Sequence, residues 1–174
     1  MRKFNTKGII FLGILTAISI VLRFAIIYLT GSLRISFINI PIILASLWFG
    51  PIAGMAVGFA SDFIGASITV GWNPLLAITP VLFGLLPSLL KLVFLKKVNF
   101  WKILIIILIT NIIGTMIWST YALSVMFGTE YFALLAIRIP LYIGIATLES
   151  ICIYYISVSG LDKLIFYRQK WWQK

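Results

Sequence analysis

GPIAGMAVGFASDFIGAS, residues 50–67, combines four glycines with a single carboxylate, Asp62, in a run of otherwise apolar or small residues. Gly50, Gly54 and Gly58 recur every four residues, so on a helix they share one face. Such a face lets another helix approach closely. The stretch therefore predicts a tightly packed helix, and it raises the question of what partners Asp62.

The composition around this stretch is that of a membrane protein. Of 174 residues, 62% are hydrophobic and only 10% are charged, and the mean hydropathy is +1.14. Soluble domains carry about 25% charged residues. We therefore expect one integral membrane domain over residues 1–174, embedded in the lipid bilayer. We therefore attribute the net charge of +10 to residues that orient the chain in the membrane. We expect no nucleic-acid partner.

The chemistry-bearing residues are few. The chain has no histidine and one cysteine, Cys152, within an apolar run. It also lacks a P-loop, a nucleophile elbow and a carboxylate pair. Metal sites, disulfides and histidine-based acid–base catalysis are excluded on this ground. We expect no cofactor and no enzymatic activity.

Apolar windows long enough to span a membrane predict an all-α membrane protein with six transmembrane helices. They fall near residues 8–29, 36–49, 51–70, 74–95, 101–127 and 132–159. The second window is short and contains Pro41. The Gly50-Pro51 pair predicts the tight turn that follows it.

The basic residues predict the orientation of these helices. Eleven of the fourteen fall at three places: Arg2, Lys3 and Lys7; Lys91, Lys96, Lys97 and Lys102; Lys163, Arg168, Lys170 and Lys174. The positive-inside rule puts all three places in the cytoplasm. Both termini of a protein in the prokaryotic cell membrane would then be cytoplasmic. A basic, aromatic tail, 160–174, would lie at the inner interface.

The three remaining cations, Arg23, Arg34 and Arg138, lie toward the outer face in this topology. A charge within a span usually faces a cavity, a partner or a substrate path, and arginine is suited to binding carboxylates. We predict a binding site for an anionic or polar ligand. Snorkelling to lipid headgroups is the alternative, as is a structural ion pair with Asp62 or Glu149.

Other polar and aromatic residues fall toward the same side of the membrane. Rings could stack on a ring-shaped ligand, while amides and hydroxyls form hydrogen bonds with its edges. Singly, each also fits an interfacial belt or a contact between helices. The further candidate ligand-binding residues are Asn39, Trp72, Asn73, Thr79, Asn111, Trp118 and Tyr121.

Two blocks of sequence resemble a known family. LRISFINIPIILASLWFGPIAGMAVGFASDFIGA, residues 33–66, is similar to the signature of substrate-binding S components of energy-coupling factor (ECF) vitamin transporters, with the folate-type group the nearest match. ALSVMFGTEYFALLAIRI, residues 122–139, resembles that group's region leading into the sixth helix. The loop VGWNPLLAITP, residues 70–80, is shorter than its counterpart in folate members. Ala122 stands where the family's fifth helix carries a tryptophan.

The resemblance implies a subunit that captures folate or a related vitamin for uptake driven by partner subunits. Those partners would be a transmembrane coupling subunit and two ATPase subunits. Gly13 and Ala17 resemble the small-residue motif that docks on the coupling subunit. Two alternatives stay open: an S component for pantothenate, pyridoxine or a thiamine pyrimidine, and a structural or assembly membrane protein without a ligand.

Overall fold

A computed structural model describes residues 6–30, 33–69, 71–94 and 99–159. Within these ranges the chain forms six helices and one short β-hairpin. The helices are α1 Thr6–Phe24, α2 Asn39–Phe49, α3 Pro51–Thr69, α4 Pro74–Phe94, α5 Phe100–Phe127 and α6 Tyr131–Val158; the strands are β1 Ile27–Thr30 and β2 Leu33–Ile35.

The helix lengths fit the prediction of a six-helix membrane protein. Helices α3 to α6 are each long and apolar enough to cross a bilayer, whereas α1 and α2 contribute shorter apolar segments. Each of the helices α3 to α6 begins within one residue of the start of its predicted window. The orientation of the termini stays a prediction, and the tail 160–174 lies outside the described residues.

The hairpin corrects the predicted boundaries of the first two spans. The window 8–29 predicted a helix up to residue 29, but α1 ends at Phe24 and β1 pairs antiparallel with β2, with Tyr28 opposite Arg34. The segment IIYLT at 26–30 is rich in β-branched and aromatic residues, which favour strands. Helix α2 accordingly begins at Asn39, three residues later than expected.

Helix α2 forms the centre of the bundle. Eight of its eleven residues, from Pro41 to Trp48, are buried, as expected for a helix that is apolar on all faces. At 1.5 Å per residue it is about 16 Å long, roughly half of the 30 Å hydrocarbon core. The five longer helices therefore surround a space beyond the N-terminal end of α2.

Helices α3 and α4 pack at backbone contact, as the glycine spacing predicted. A Cβ on Gly54 would lie 2.3 Å from the carbonyl oxygen of Gly84, and one on Gly58 would lie 2.3 Å from that of Pro80. No side chain fits at either position. Contrary to the prediction from the sequence, Gly50 does not share this helix face with Gly54 and Gly58. It lies in the turn before α3, which begins at Pro51, and its φ is +99°.

Helix α5 changes its winding along its length. It is α-helical over Phe100–Asn111 and Thr120–Phe127 but π-helical over Ile112–Ser119. The hydroxyl of Thr120 donates to the carbonyl of Thr115, five residues earlier, at 3.0 Å. π-helical turns are frequent at functional sites, and this one lies beside the space above α2.

Candidate functional site

A cavity lies at the end of the bundle where α1, α3 and α5 end and α2, α4 and α6 begin. Every helix contributes at least one lining residue. The volume within the cavity that the centre of a water molecule can occupy is about 60 Å³. That is room for a few water molecules. The lining residues are Arg23, Ser36, Ile38, Asn39, Asp62, Ala66, Gly71, Asn73, Leu76, Thr79, Pro80, Thr115, Ser119 and Tyr142.

The connections at this end of the bundle are the β-hairpin, the turn at 71–73 and the turn at 128–130. Three members of the predicted basic clusters lie in described helices: Lys7 at the start of α1, Lys91 in the last turn of α4 and Lys102 at the start of α5. The cavity and these three positions occupy opposite ends of the bundle, and the other members of the clusters lie outside the described residues.

One wall of the cavity is an ion pair between α1 and α3. The guanidinium of Arg23 donates from Nη2 to Oδ1 of Asp62, and both residues are buried. The arginine side chain crosses α3 at Gly65, where a Cβ would lie 2.8 Å from Nε of Arg23. Nε itself is buried and has no hydrogen-bond partner among the described residues. Asp62 therefore faces an arginine across the contact between the two helices.

A network of amides around a carboxylate lies behind the same cavity. Glu149 of α6 is fully buried and accepts from Nδ2 of Asn39 at 3.2 Å and from Nδ2 of Asn111 at 3.3 Å. Asn39 lines the cavity, whereas Asn111 and Glu149 do not. The network ties α2, α5 and α6 together where the cavity ends.

The π-helical segment supplies two hydroxyls to the cavity, those of Thr115 and Ser119. Arg138 lies just behind them, 1% exposed, and its Nη1 donates to Oγ1 of Thr120 at 3.0 Å. Its guanidinium carbon is 5.5 Å from the centre of the Tyr142 ring, a cation–π distance. Arg138 therefore positions the ring of Tyr142, which lines the cavity. Arg138 is not itself a lining residue.

The start of α4 contributes Asn73 and Thr79. Asn73 caps the helix, because its Oδ1 accepts from the backbone N–H of Leu75 at 2.9 Å. The hydroxyl of Thr79 is buried and lacks a hydrogen-bond partner in the described part of the chain. A buried hydroxyl without a partner is unusual, and Thr79 belongs to the cavity lining.

The aromatic candidates lie outside the cavity lining. Trp72 packs edge-on against Phe63 at 5.4 Å, and Trp118 donates from Nε1 to the carbonyl of Leu75 at 2.9 Å. Tyr121 is 51% exposed on the outer surface of α5. Trp72 therefore packs against α3, and Trp118 links α5 to α4. A role in stacking on a ligand stays a prediction for all three aromatic residues.

The remaining candidates fall elsewhere. The backbone of Arg34 is in β2, but its side chain lies outside the described part of the structure. Gly13 and Ala17 lie on the exposed face of α1, and a Cβ on Gly13 would meet nothing within 4 Å. That face is therefore free of contacts within the described chain.

Thr115 and Tyr142 were not among the predicted ligand-binding residues. A signal for Thr115 exists in the sequence, because it is spaced by four residues from Asn111 and shares one helix face with it. Among the residues that the structure describes, no three His, Cys, Asp or Glu side chains come together to hold a metal ion.

Comparisons with known proteins give a consistent result. The family model described as "ECF transporter, substrate-specific component" matches residues 7–166. A crystal structure of FolT bound with folic acid is similar at a TM-score of 0.76 and 25% identity, covering 87% of this chain and 93% of that one. The S component of a bacterial ECF transporter is similar at a TM-score of 0.64 and 22% identity, covering 94% and 98%. No curated protein sequence matches significantly.

Proposed function

The chain belongs to the family of ECF transporter substrate-specific components, and we propose that it captures a vitamin of the folate type at the outer membrane face. Uptake would be driven by ATP hydrolysis in partner subunits. The observation that carries the proposal is the cavity lined by all six helices. A ligand there is reached by every element of the bundle, as expected for a binding subunit.

The chemistry of the cavity supports a polar ligand with ring edges. A guanidinium, a carboxylate, two asparagine amides and several hydroxyls line a space within an otherwise apolar bundle. Polar groups in lipid surroundings are retained at a high energetic cost and mark substrate paths. Thr79 and Nε of Arg23 supply hydrogen-bonding atoms without a partner in the described chain.

The folate assignment rests on similarity. FolT bound with folic acid is 25% identical over most of this chain, and the two blocks at 33–66 and 122–139 resemble folate-type members. The small cavity volume indicates that a vitamin enters only when the connections at this end move apart. The β-hairpin and the turn at 71–73 are the elements that would open.

The proposed orientation puts the cavity at the outer face, because Lys7, Lys91 and Lys102 of the predicted basic clusters lie at the opposite end of the bundle and the positive-inside rule places these clusters in the cytoplasm. The exposed face of α1 around Gly13 and Ala17 would dock on the coupling subunit. Small residues there would allow close helix contact, and the two ATPase subunits would bind to that coupling subunit.

Direct binding tests the proposal. The full chain, purified in detergent, is titrated with folic acid, pantothenate, pyridoxine and thiamine while its tryptophan fluorescence is recorded. We expect saturable quenching by folic acid at the lowest concentration of the four. Saturable binding of a different vitamin would identify that vitamin as the substrate in place of folate. Absence of binding by protein that elutes as a single folded species would contradict the proposed function.

A further inference from the structure

Glu149 is a fully buried acidic residue behind the cavity. It is 0% exposed and lies on α6 two turns beyond Tyr142, which lines the cavity. Its two carboxylate oxygens each accept one amide hydrogen bond, from Asn39 and from Asn111. A carboxylate of this kind is more than a packing residue, because it determines how both amides are turned.

Both carboxylate oxygens of Glu149 act as acceptors in the structure, so each asparagine turns its nitrogen toward Glu149. The oxygen of the same amide then points away from Glu149. For Asn111 that oxygen accepts from Oγ1 of Thr115 at 3.5 Å. For Asn39, Oδ1 accepts no hydrogen bond from the residues that the structure describes, and Asn39 lines the cavity.

The backbone around Asn39 is also fixed. The buried hydroxyl of Ser19 on α1 donates to the carbonyl of Ile38 at 3.1 Å, immediately before α2 begins. The position of the Asn39 Cα is thereby held by α1, and the orientation of its amide is held by α6. The resulting acceptor is preorganised, which favours a ligand group that matches it.

We propose, on the premise of the function proposed above, that Glu149 is a positioning residue for ligand selectivity. By holding Nδ2 of Asn39, it turns Oδ1 of Asn39 into the cavity as an acceptor. The ligands selected would carry a ring amino group or ring N–H that donates to Oδ1 of Asn39. Aminopyrimidine and aminopteridine rings have such a donor. A ligand without that donor leaves the acceptor unpaired.

The substitution E149Q tests this assignment, because an amide in place of the carboxylate can accept from only one of the two asparagines. Asn111 is held by two further hydrogen bonds, to the carbonyl of Ile107 at 3.2 Å and from Thr115. The oxygen of the introduced glutamine amide therefore accepts from Asn111, and its nitrogen faces Asn39. Asn39 must then flip its amide, so that a donor replaces the acceptor at the cavity.

The experiment measures the dissociation constants of folic acid and of its 2-deamino analogue, which carries hydrogen in place of the ring amino group. We expect the wild-type chain to prefer folic acid by roughly tenfold or more. The preference falls to near unity in E149Q and in N39A. It remains in S150A, the matched control, because Ser150 is buried next to Glu149 on α6 but its hydroxyl donates to the carbonyl of Ala146 in the same helix.

A charge swap keeps the test decisive if E149Q fails to fold. N39D/E149Q retains one carboxylate and one amide at the two positions, and the carboxylate introduced on α2 again presents an acceptor to the cavity. We expect this variant to recover the preference for folic acid. Folded E149Q with the wild-type preference, or folded N39D/E149Q without it, would overturn the positioning role of Glu149.

The same variants separate this inference from the folate assignment. If wild-type protein binds neither folate probe, it is titrated with 4-amino-5-hydroxymethyl-2-methylpyrimidine and its 4-deamino analogue. Amino-dependent binding that E149Q abolishes would support the role of Glu149 while the folate function fails. Absence of binding by both amino-bearing rings would overturn the inference itself.

Discussion

Arg23 and Asp62 illustrate how single residues control this site. Each would be a buried charge in a lipid-embedded bundle if it stood alone, and together they form a pair on the cavity wall. Gly65 makes the pair possible, because only a residue without a side chain leaves room for the Arg23 side chain across α3. The pair supports both the fold and the polar character of the cavity.

Asp62→Asn removes the charge partner of Arg23 while preserving size. We expect a loss of about 3 kcal/mol in the free energy of unfolding, because breaking a buried pair leaves an uncompensated charge. Thermal unfolding of the purified chain in detergent measures the loss. Glu130→Gln is the matched control, since Glu130 is an exposed acid and forms no side-chain cap on α6.

Replacing both members of the pair tests the explanation. Arg23→Met combined with Asp62→Leu leaves no charge at the site, so its stability should exceed that of Asp62→Asn alone. An unchanged unfolding temperature in Asp62→Asn would contradict the account of the pair as a structural element of the wall.

At the scale of elements, the contact between α3 and α4 sets the shape of the cavity wall. Gly54 and Gly84 bring the two backbones together. Further along the same two helices, the cavity is lined by Asp62, Ala66, Leu76, Thr79 and Pro80. Separation of the helices at the glycines would therefore displace cavity residues about one to three turns away.

Gly54→Ala places a methyl group 2.3 Å from the carbonyl oxygen of Gly84, so the helices must move apart. Overpacking of this kind costs about 1–3 kcal/mol, which we expect as a lower unfolding temperature and weaker vitamin binding. Gly144→Ala is the control, because nothing lies within 4 Å of a Cβ there. Equal stability of the two variants would show that α3 and α4 do not require close contact.

The sequence predicted the close-packing face of α3, without identifying α4 as its partner, and it did not predict every element. Glycines spaced by four identify a packing face directly, since small residues let two helix backbones approach closely. The hairpin at 27–35 was missed because IIYLT continues an apolar run, and hydropathy does not separate strand from helix in such a run. The π-helical winding of Ile112–Ser119 leaves the hydropathy of α5 unchanged, so it gave no signal.

The candidate site was predicted in part for a related reason. In a soluble helix, polarity identifies the outer face, but a membrane helix is apolar on both faces because lipid is as apolar as the core. Polar residues within spans, such as Arg23, Asn39 and Asp62, could therefore be selected by their cost in lipid. The aromatic residues Trp118 and Tyr121 gave no such indication, and they lie outside the cavity lining.

At the scale of the whole molecule, the short α2 accounts for the position of the site. Five longer helices surround a central helix of about half the membrane thickness, and the cavity fills the remaining space at its N-terminal end. Lys91 and Lys102 lie at the other end. A ligand that enters this cavity from outside would be separated from the cytoplasm by the packed half of the bundle.

The most direct test of the central claim, that the vitamin occupies this cavity, is a calorimetric titration of folic acid against Ser119→Phe and Ile117→Phe. Ser119 is 4% exposed and lines the cavity, whereas Ile117 is 54% exposed on the same helix. We predict that Ser119→Phe loses folic acid binding because its ring fills the cavity, and that Ile117→Phe retains the wild-type affinity. Equal binding by the two variants would contradict the account.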